Sequence, residues 1–439
     1  MDTMLLALLL FAASLIGVLL GTITGLVPGF HPNNVAVILL SFTPAILAEP
    51  RSICAALPYD TVLLLLAAII IAASVAHTFL NFIPAAYFGA PEGETALALL
   101  PAHRLLLEGR AYEATMLSAM GSFGAIIFSF LFIIPFFLLF SVLHFYELIQ
   151  STMLYLLIGI STLLILTESF SERMAAYKAL ILSASVFLLS GIFGYVILDM
   201  PVHAPFLFSS TMLFPALTGL FGLSTISYSL LHTPEIPEQE IEKPVLEKAE
   251  VIKSILSGSI SGSLVSFLPG ITSAHATVMA MLARRNHEPE QVIVTLSGVN
   301  TANVVFCLET LFLISRARSG TTIALSRLLT IQRWEGAFPP SALLSLLVVV
   351  LVAAPCSFFI TTYLGKQFAL RFSQLPYRTL LVGIAFFLVA LVLIFTGFLG
   401  ILVLLVGTCI GLIPICCGVK RSTAMGVLLV PILVILWHM

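Results

Sequence analysis

The sequence predicts an all-α polytopic membrane protein made of two inverted repeats. Each repeat is a Pro-Gly-tipped re-entrant helical hairpin, or broken helix, followed by about five transmembrane helices. Three observations carry this. Of the 439 residues only 9% are charged and 60% are hydrophobic, with a mean hydropathy of +1.14; a soluble domain carries roughly 25% charged residues. Apolar runs are near-continuous over the 18 or more residues that cross about 30 Å of hydrocarbon, unlike the alternating ten-residue strands of a barrel. A spaced pattern of glycine and proline occurs once in each half. A soluble enzyme, a nucleic-acid binder and a disordered chain are excluded by this composition. The net charge of -2 implies no strong pull toward nucleic acid.

The first repeat is expected over 1–231. The N-terminus is apolar from Met4 and opens on Met-Asp without a basic n-region, so the first segment is expected to stay in the protein. It belongs to a region, 4–48, that is apolar but broken near its middle by Pro28-Gly29. Single spans follow at roughly 60–82, 113–142, 151–167, 178–198 and 206–230. Between the first two, Phe88 to Arg110 reads as a turn at Gly89, Pro91 and Gly93, then an amphipathic piece at the membrane surface.

Residues 232–253 form the most polar stretch, with six glutamates from Glu235 to Glu250, three lysines and three prolines. A charged cytoplasmic linker is expected there. The second repeat, 254–439, again begins with a broken region, 254–285, interrupted by Pro269-Gly270. Spans follow at 291–315, 337–363, 376–395, 397–415 and 422–438.

Loop charge sets orientation. If both broken regions return to the side they started from, fourteen of the 19 Lys and Arg residues share one face, which is then cytoplasmic. The N- and C-termini lie outside, in the cell membrane. Arg316, Arg318, Arg327 and Arg333 are the misfit. The six cysteines lie in or beside apolar segments, show no metal-ligand spacing and read as small buried residues without disulfides.

Gly17, Gly21, Gly25, Pro28 and Gly29 align with Gly258, Gly262, Ser266, Pro269 and Gly270 at a constant offset of 241. Ser74-Val75-Ala76-His77-Thr78 aligns with Ser297-Gly298-Val299-Asn300-Thr301 at 223. Five single crossings between the broken regions make the second copy inverted. Glycines four apart on apolar helices favour close packing. A break at membrane depth leaves backbone groups that lipid cannot satisfy, so it must lie in protein or beside water. A restarting helix then offers free N–H groups and a positive dipole end, which suit an anion. The expected substrate-binding residues are therefore Pro28, Gly29, Phe30, His31, Asn33 and Asn34 at one break, and Pro269, Gly270, Ile271, Thr272, Ser273 and His275 at the other. His77, Thr78, Asn81, Asn300, Thr301, Asn303 and Glu309 interrupt the following spans. Polar and ionisable groups there are costly, and they are the candidates for a coupling cation or proton. No metal site, no cofactor beyond coupling Na⁺ or H⁺, and no catalytic or ATP-binding motif is present, so an enzyme is not expected.

At these motifs the chain resembles the large membrane permease of tripartite tricarboxylate transporters, the TctA type, and within it the archaeal branch. The carrying residues are Gly21-x3-Gly25-x2-Pro28-Gly29, Ala90-Pro91-Glu92-Gly93, Glu108-Gly109-Arg110, Pro269-Gly270, Gly298 to Asn303, and Arg318-Ser319-Gly320. The resemblance implies import of a carboxylate by symport with an ion, a small membrane subunit and an extracytoplasmic binding protein; a homodimer is compatible with it. The chain departs from the family at Ala90-Pro91, where the family's turn usually has Pro-Gly, and in the polar tracts after each Pro-Gly. The residues alone leave open a polyprenyl-phosphate flippase, an intramembrane enzyme using His31, His77 or His275, and a membrane scaffold.

Overall fold

The computed structural model describes residues 3–27, 32–48, 57–88, 99–143, 145–166, 175–198, 200–201, 212–231, 237–242, 244, 247–268, 273–284, 288–336, 338–372, 377–419 and 421–438. The helices are α1 (Thr3–Leu26), α2 (Pro32–Ala48), α3 (Tyr59–Leu80), α4 (Phe82–Phe88), α5 (Leu99–Leu107), α6 (Ala111–Phe137), α7 (Phe145–Leu166), α8 (Ala176–Leu198), α9 (Leu213–Leu217), α10 (Ser224–Leu231), α11 (Lys248–Val265), α12 (Ser273–Arg284), α13 (Pro289–Ile314), α14 (Gly320–Leu328), α15 (Ser341–Phe372), α16 (Tyr377–Cys417) and α17 (Gly426–Trp437). No strand occurs among the described residues. Eight helical segments there are long and apolar enough to cross a membrane, and two shorter apolar ones accompany them. The chain is an all-α, multi-pass membrane protein.

The glycine rows set the closest contacts. α1 lies on α3, and a Cβ on Gly17 would come within 2.5 Å of Ala72 Cβ and of the Ile69 carbonyl. α11 lies on α13 in the same manner: a Cβ on Gly258 would sit 2.5 Å from the Thr295 carbonyl, and one on Gly262 2.6 Å from that of Val299. Only hydrogen on these α-carbons lets the backbones approach. The larger arrangement also recurs with partners exchanged. α13 packs on α6 as α3 packs on α15; α11 packs on α6 as α1 packs on α15; α13 packs on α5 as α3 packs on α14. One apolar core joins these elements.

A second cluster unites α8, α9, α16 and α17 through Phe193, Ala216, Ile410 and Val427. Between α9 and α10 the helix widens to a π turn, Thr218–Leu223. Such a turn frees carbonyls, and the buried Arg421 guanidinium donates to those of Leu220 and Phe221 and to the Ser224 hydroxyl. α16 would be about 60 Å long if straight, twice a bilayer core. It kinks at Gly397, whose φ of 68° and ψ of -163° suit a residue without a side chain. The kink falls at the boundary expected between the spans 376–395 and 397–415.

Some local expectations are corrected. α11 begins at Lys248, ahead of the expected end of the linker at 253, because Lys248–Lys253 continues the helical register of the apolar residues behind it. The described part of the linker is not simply solvated. Gln239 is buried: its Nε2 donates to the Leu106 carbonyl and its Oε1 accepts from the Ala111 N–H, one of the open donors at the start of α6. Cys409 and Cys416 are exposed on α16 rather than buried; Cys54 lies outside the described residues. α14 corresponds to no expected span.

Candidate functional site

The site is built where α1, α3, α11 and α13 carry polar groups into the core. On α3, Thr78 donates to the Val75 carbonyl at 2.8 Å, and Thr301 of α13 donates to Thr78 Oγ1 at 3.0 Å. His77 is completely buried, with Nδ1 3.1 Å from Thr24 Oγ1 on α1. Thr24 gives its proton to the Gly21 carbonyl at 3.1 Å, so the Nδ1–H of His77 is the donor to Thr24. Thr24 was invisible as a site residue because a threonine in an apolar run usually bonds back to its own helix, as this one also does.

Asn81 ends α3, its N–H bonded to the His77 carbonyl at 2.9 Å. Its side chain is 2% exposed and neither amide atom has a hydrogen-bond partner. Asn300 is as buried, with Oδ1 unpartnered. Glu309 is fully buried and neither carboxylate oxygen has a partner. Ser273, the first residue of α12, is 2% exposed with an unpartnered hydroxyl. The hydroxyls of Ser259 on α11 and Thr295 on α13 are buried without a partner as well. Buried polar groups are nearly always hydrogen-bonded, so these side chains in one membrane core need an explanation.

Asn303 does not join that group. It lies on the α11 side of α13, where its Oδ1 accepts from Cys307 Sγ at 3.3 Å. Nearby, Ser266 at the end of α11 donates to the Ser263 carbonyl and contacts Thr310 Oγ1 at 3.3 Å.

Asn33, in the first turn of α2, meets an element the sequence did not reveal. Its Oδ1 accepts from the Thr321 N–H at 3.1 Å, at the start of α14. Ser319 caps that helix in a reciprocal box with Thr322. Gly320 makes room: a Cβ there would sit 2.6 Å from Asn33 Cγ. Arg318 immediately precedes this box, and burial holds its guanidinium below its usual value, at about 10. The Arg318-Ser319-Gly320 triplet was the available signal for this contact.

Pro28, Gly29, Phe30, His31, Pro269, Gly270, Ile271 and Thr272 lie outside the described residues, as do the side chains of Asn34 and His275. Among the described residues no cluster of three His, Cys, Asp or Glu could hold a metal.

At one rim of the helices an ionic cluster joins the two halves. Arg110 donates to Glu113 at 2.7 and 2.9 Å, to Glu290 on α13 at 2.8 Å and to Glu108 at 3.1 Å. The bonds from Glu113 foremost hold this guanidinium above its ordinary value. On the same rim Arg284, at the end of α12, donates to Glu250 at 2.8 Å and to Ser254 at 2.6 Å, both in α11. α12 therefore folds back along α11.

The comparisons with known proteins point one way. A model of the tripartite tricarboxylate transporter TctA family matches residues 11–426. An uncharacterized protein of Methanocaldococcus jannaschii is 33% identical over 322 residues, which is 72% of each chain. No solved structure matches.

Proposed function

The chain belongs to the tripartite tricarboxylate transporter TctA family, and from that premise we propose that it is the membrane carrier of a secondary system importing a small carboxylate. Uptake is coupled to a proton or sodium gradient. The anion sits at the two helix breaks, on the backbone N–H groups after Gly29 and Gly270, with Asn33, Asn34, Thr272 and Ser273 as donors. His77, Thr78, Asn81, Asn300, Thr301 and Glu309 hold the coupling ion. The observation that carries this reading is the set of buried, unpartnered groups at Ser273, Asn81, Asn300 and Glu309. Groups left open in a membrane core are the ones a ligand or an ion completes.

The exchange of packing partners supports a two-fold relation between 1–231 and 254–439, and the Arg284–Glu250 pair supports a re-entrant second hairpin. The termini lie outside the cell membrane. A small membrane subunit and an extracytoplasmic binding protein complete the system, as the family's description as tripartite implies.

The test is thermal stabilisation of the purified protein by citrate and smaller carboxylates, with Na⁺ and pH varied, followed by uptake of the stabilising anion into proteoliposomes. A ligand at 100 times its Kd adds about 2.7 kcal/mol. Stabilisation by a polyprenyl phosphate and by no carboxylate would overturn the proposal.

A further inference from the structure

A vestibule of about 720 Å³ opens on the face where α1, α3 and α15 begin and α13 and α14 end. Asp60, Arg327, Thr330, Gln332 and Ser341 line it, and a polar space of that size holds water. Phe312 lines it too, although its side chain is shut off from solvent.

Glu309 stands three residues earlier on α13. Positions i and i+3 neighbour each other on a helix, with Cβ atoms about 5–6 Å apart. Glu309, a fully buried acid whose oxygens have no partner, thus stands one helical turn behind a residue that borders the wet vestibule. In the other direction along that stripe of α13, two turns away, Thr301 is bonded to Thr78.

The backbone of the turn that carries Phe312 is tied to the vestibule wall. The Phe312 carbonyl accepts from the Trp334 N–H at 2.8 Å, and the Leu313 carbonyl from Arg333 Nε at 3.0 Å. Trp334 is buried and stacks on Phe137 with centroids 4.4 Å apart. Two residues before it, Gln332 faces the vestibule. A displacement of this wall segment pulls on the turn of α13 that carries Phe312.

We propose that the vestibule is the aqueous mouth of Glu309 and that Phe312 is the partition between them, withdrawn when the wall segment carrying Trp334 shifts. The inference rests on the coupling role given to Glu309 above, but the access route is measured without transport.

The experiment treats the purified full-length protein with a water-soluble carbodiimide and an amine, and follows amide formation at Glu309 and at Asp60 by mass spectrometry. In the parent protein Asp60 should label while Glu309 stays inert. Phe312→Ala should raise labelling of Glu309 by about tenfold or more, because local opening governs access to a buried group. Phe306→Ala, whose ring packs on Phe128 and Phe136 instead, should leave it inert. If Phe312→Ala does not fold, Phe312→Leu keeps the core apolar and carries the same test. Labelling of Glu309 at the parent rate in a folded Phe312 variant, or an equal rise in Phe306→Ala, would overturn the proposal. Access through Phe312 combined with normal ion-coupled uptake in Glu309→Gln would instead retire the coupling role and keep the route.

Discussion

Thr301 Oγ1 donates to Thr78 Oγ1 at 3.0 Å, and these two threonines are counterparts in the tracts that align at an offset of 223. In a two-fold arrangement, equivalent residues touch each other only on the axis. The contact thus marks where an axis relating α3 to α13 would pass, and the exchanged packing of α6 and α15 is what such an axis requires. Interhelical hydrogen bonds in membrane proteins couple by about 0.6 kcal/mol on average. Thr78→Val and Thr301→Val should each destabilise the protein, and the double variant should cost less than their sum by about that amount. A double-mutant cycle on unfolding midpoints reads it. Strict additivity would mean that the hydroxyls do not interact.

Glycines on one interface should respond in opposite senses. Alanine gains up to about 1 kcal/mol over glycine inside a helix. At Gly258 the new Cβ meets the Thr295 carbonyl at 2.5 Å, a backbone atom that cannot rotate away. Overpacking then wins, and Gly258→Ala should destabilise by about 1–3 kcal/mol. At Gly298 the nearest atom is the Gly121 carbonyl at 3.7 Å, an ordinary contact, so Gly298→Ala should be neutral or stabilising by up to about 1 kcal/mol. Thermal unfolding of the two variants side by side checks the contrast.

The spacing of Gly258 and Gly262 was legible because close helix packing imposes it on the sequence, whereas at Gly397 only the boundary between two spans was expected and the positive φ that makes the kink was not. The misfit arginines were not legible. The rule linking Lys and Arg to the cytoplasmic face assumes that they sit free in loops. Here Arg333 donates to the Leu313 carbonyl at the end of α13, and Arg316 lies over the Tyr146 ring and donates to its hydroxyl. These two charges cap and brace structure rather than sit free in loops. The bond from Thr321 to Asn33 joins residues 288 apart, and Gln239 finds its partners across the α5–α6 turn. No local pattern encodes such contacts. Asn81, Asn300 and Glu309 stand out in the sequence as polar residues in apolar spans, and Ser273 as one that follows a Pro-Gly break, but that their groups stand unpartnered could only be seen in three dimensions.

Arg110 is the hub of the ionic cluster between the halves. Glu113 is 5% exposed, so removal of the guanidinium leaves a buried carboxylate without its strongest donor. Hydrogen bonds to charged groups contribute about 1.5–3 kcal/mol. Arg110→Gln should lower stability by an amount in that range, with partial recovery in Arg110→Gln/Glu113→Gln, where the buried charge is gone as well. Arg110→Lys should recover little, since a point charge cannot serve Glu113 and Glu290 through two nitrogens at once. Unfolding midpoints of the four proteins test this, and an undisturbed Arg110→Gln protein would deny the cluster a structural role.

The outer ends of α11 and α12 offer the last test. Arg284 and Glu250 close α12 onto the start of α11 at 2.8 Å. A hairpin that returns to its own face puts Lys253 and Glu288 on one side of the membrane and Arg316, at the far end of α13, on the other. Cysteines at 253 and 288 should react with an impermeant maleimide from one side of sealed vesicles, and a cysteine at 316 from the opposite side. Lys253 first, then Arg284, hold the Glu250 carboxyl below its ordinary value. A carboxyl lowered in this way stabilises the fold while ionised; the contribution is complete above the unfolded-chain value and is lost as pH falls through the folded one. Acidification into and below the carboxylate range should therefore speed hydrogen exchange at the C-terminal end of α12. Glu250→Gln should show that faster exchange already at neutral pH and lose its acid dependence. Labelling of positions 253 and 288 from opposite faces would replace the hairpin with a broken helix that crosses the bilayer.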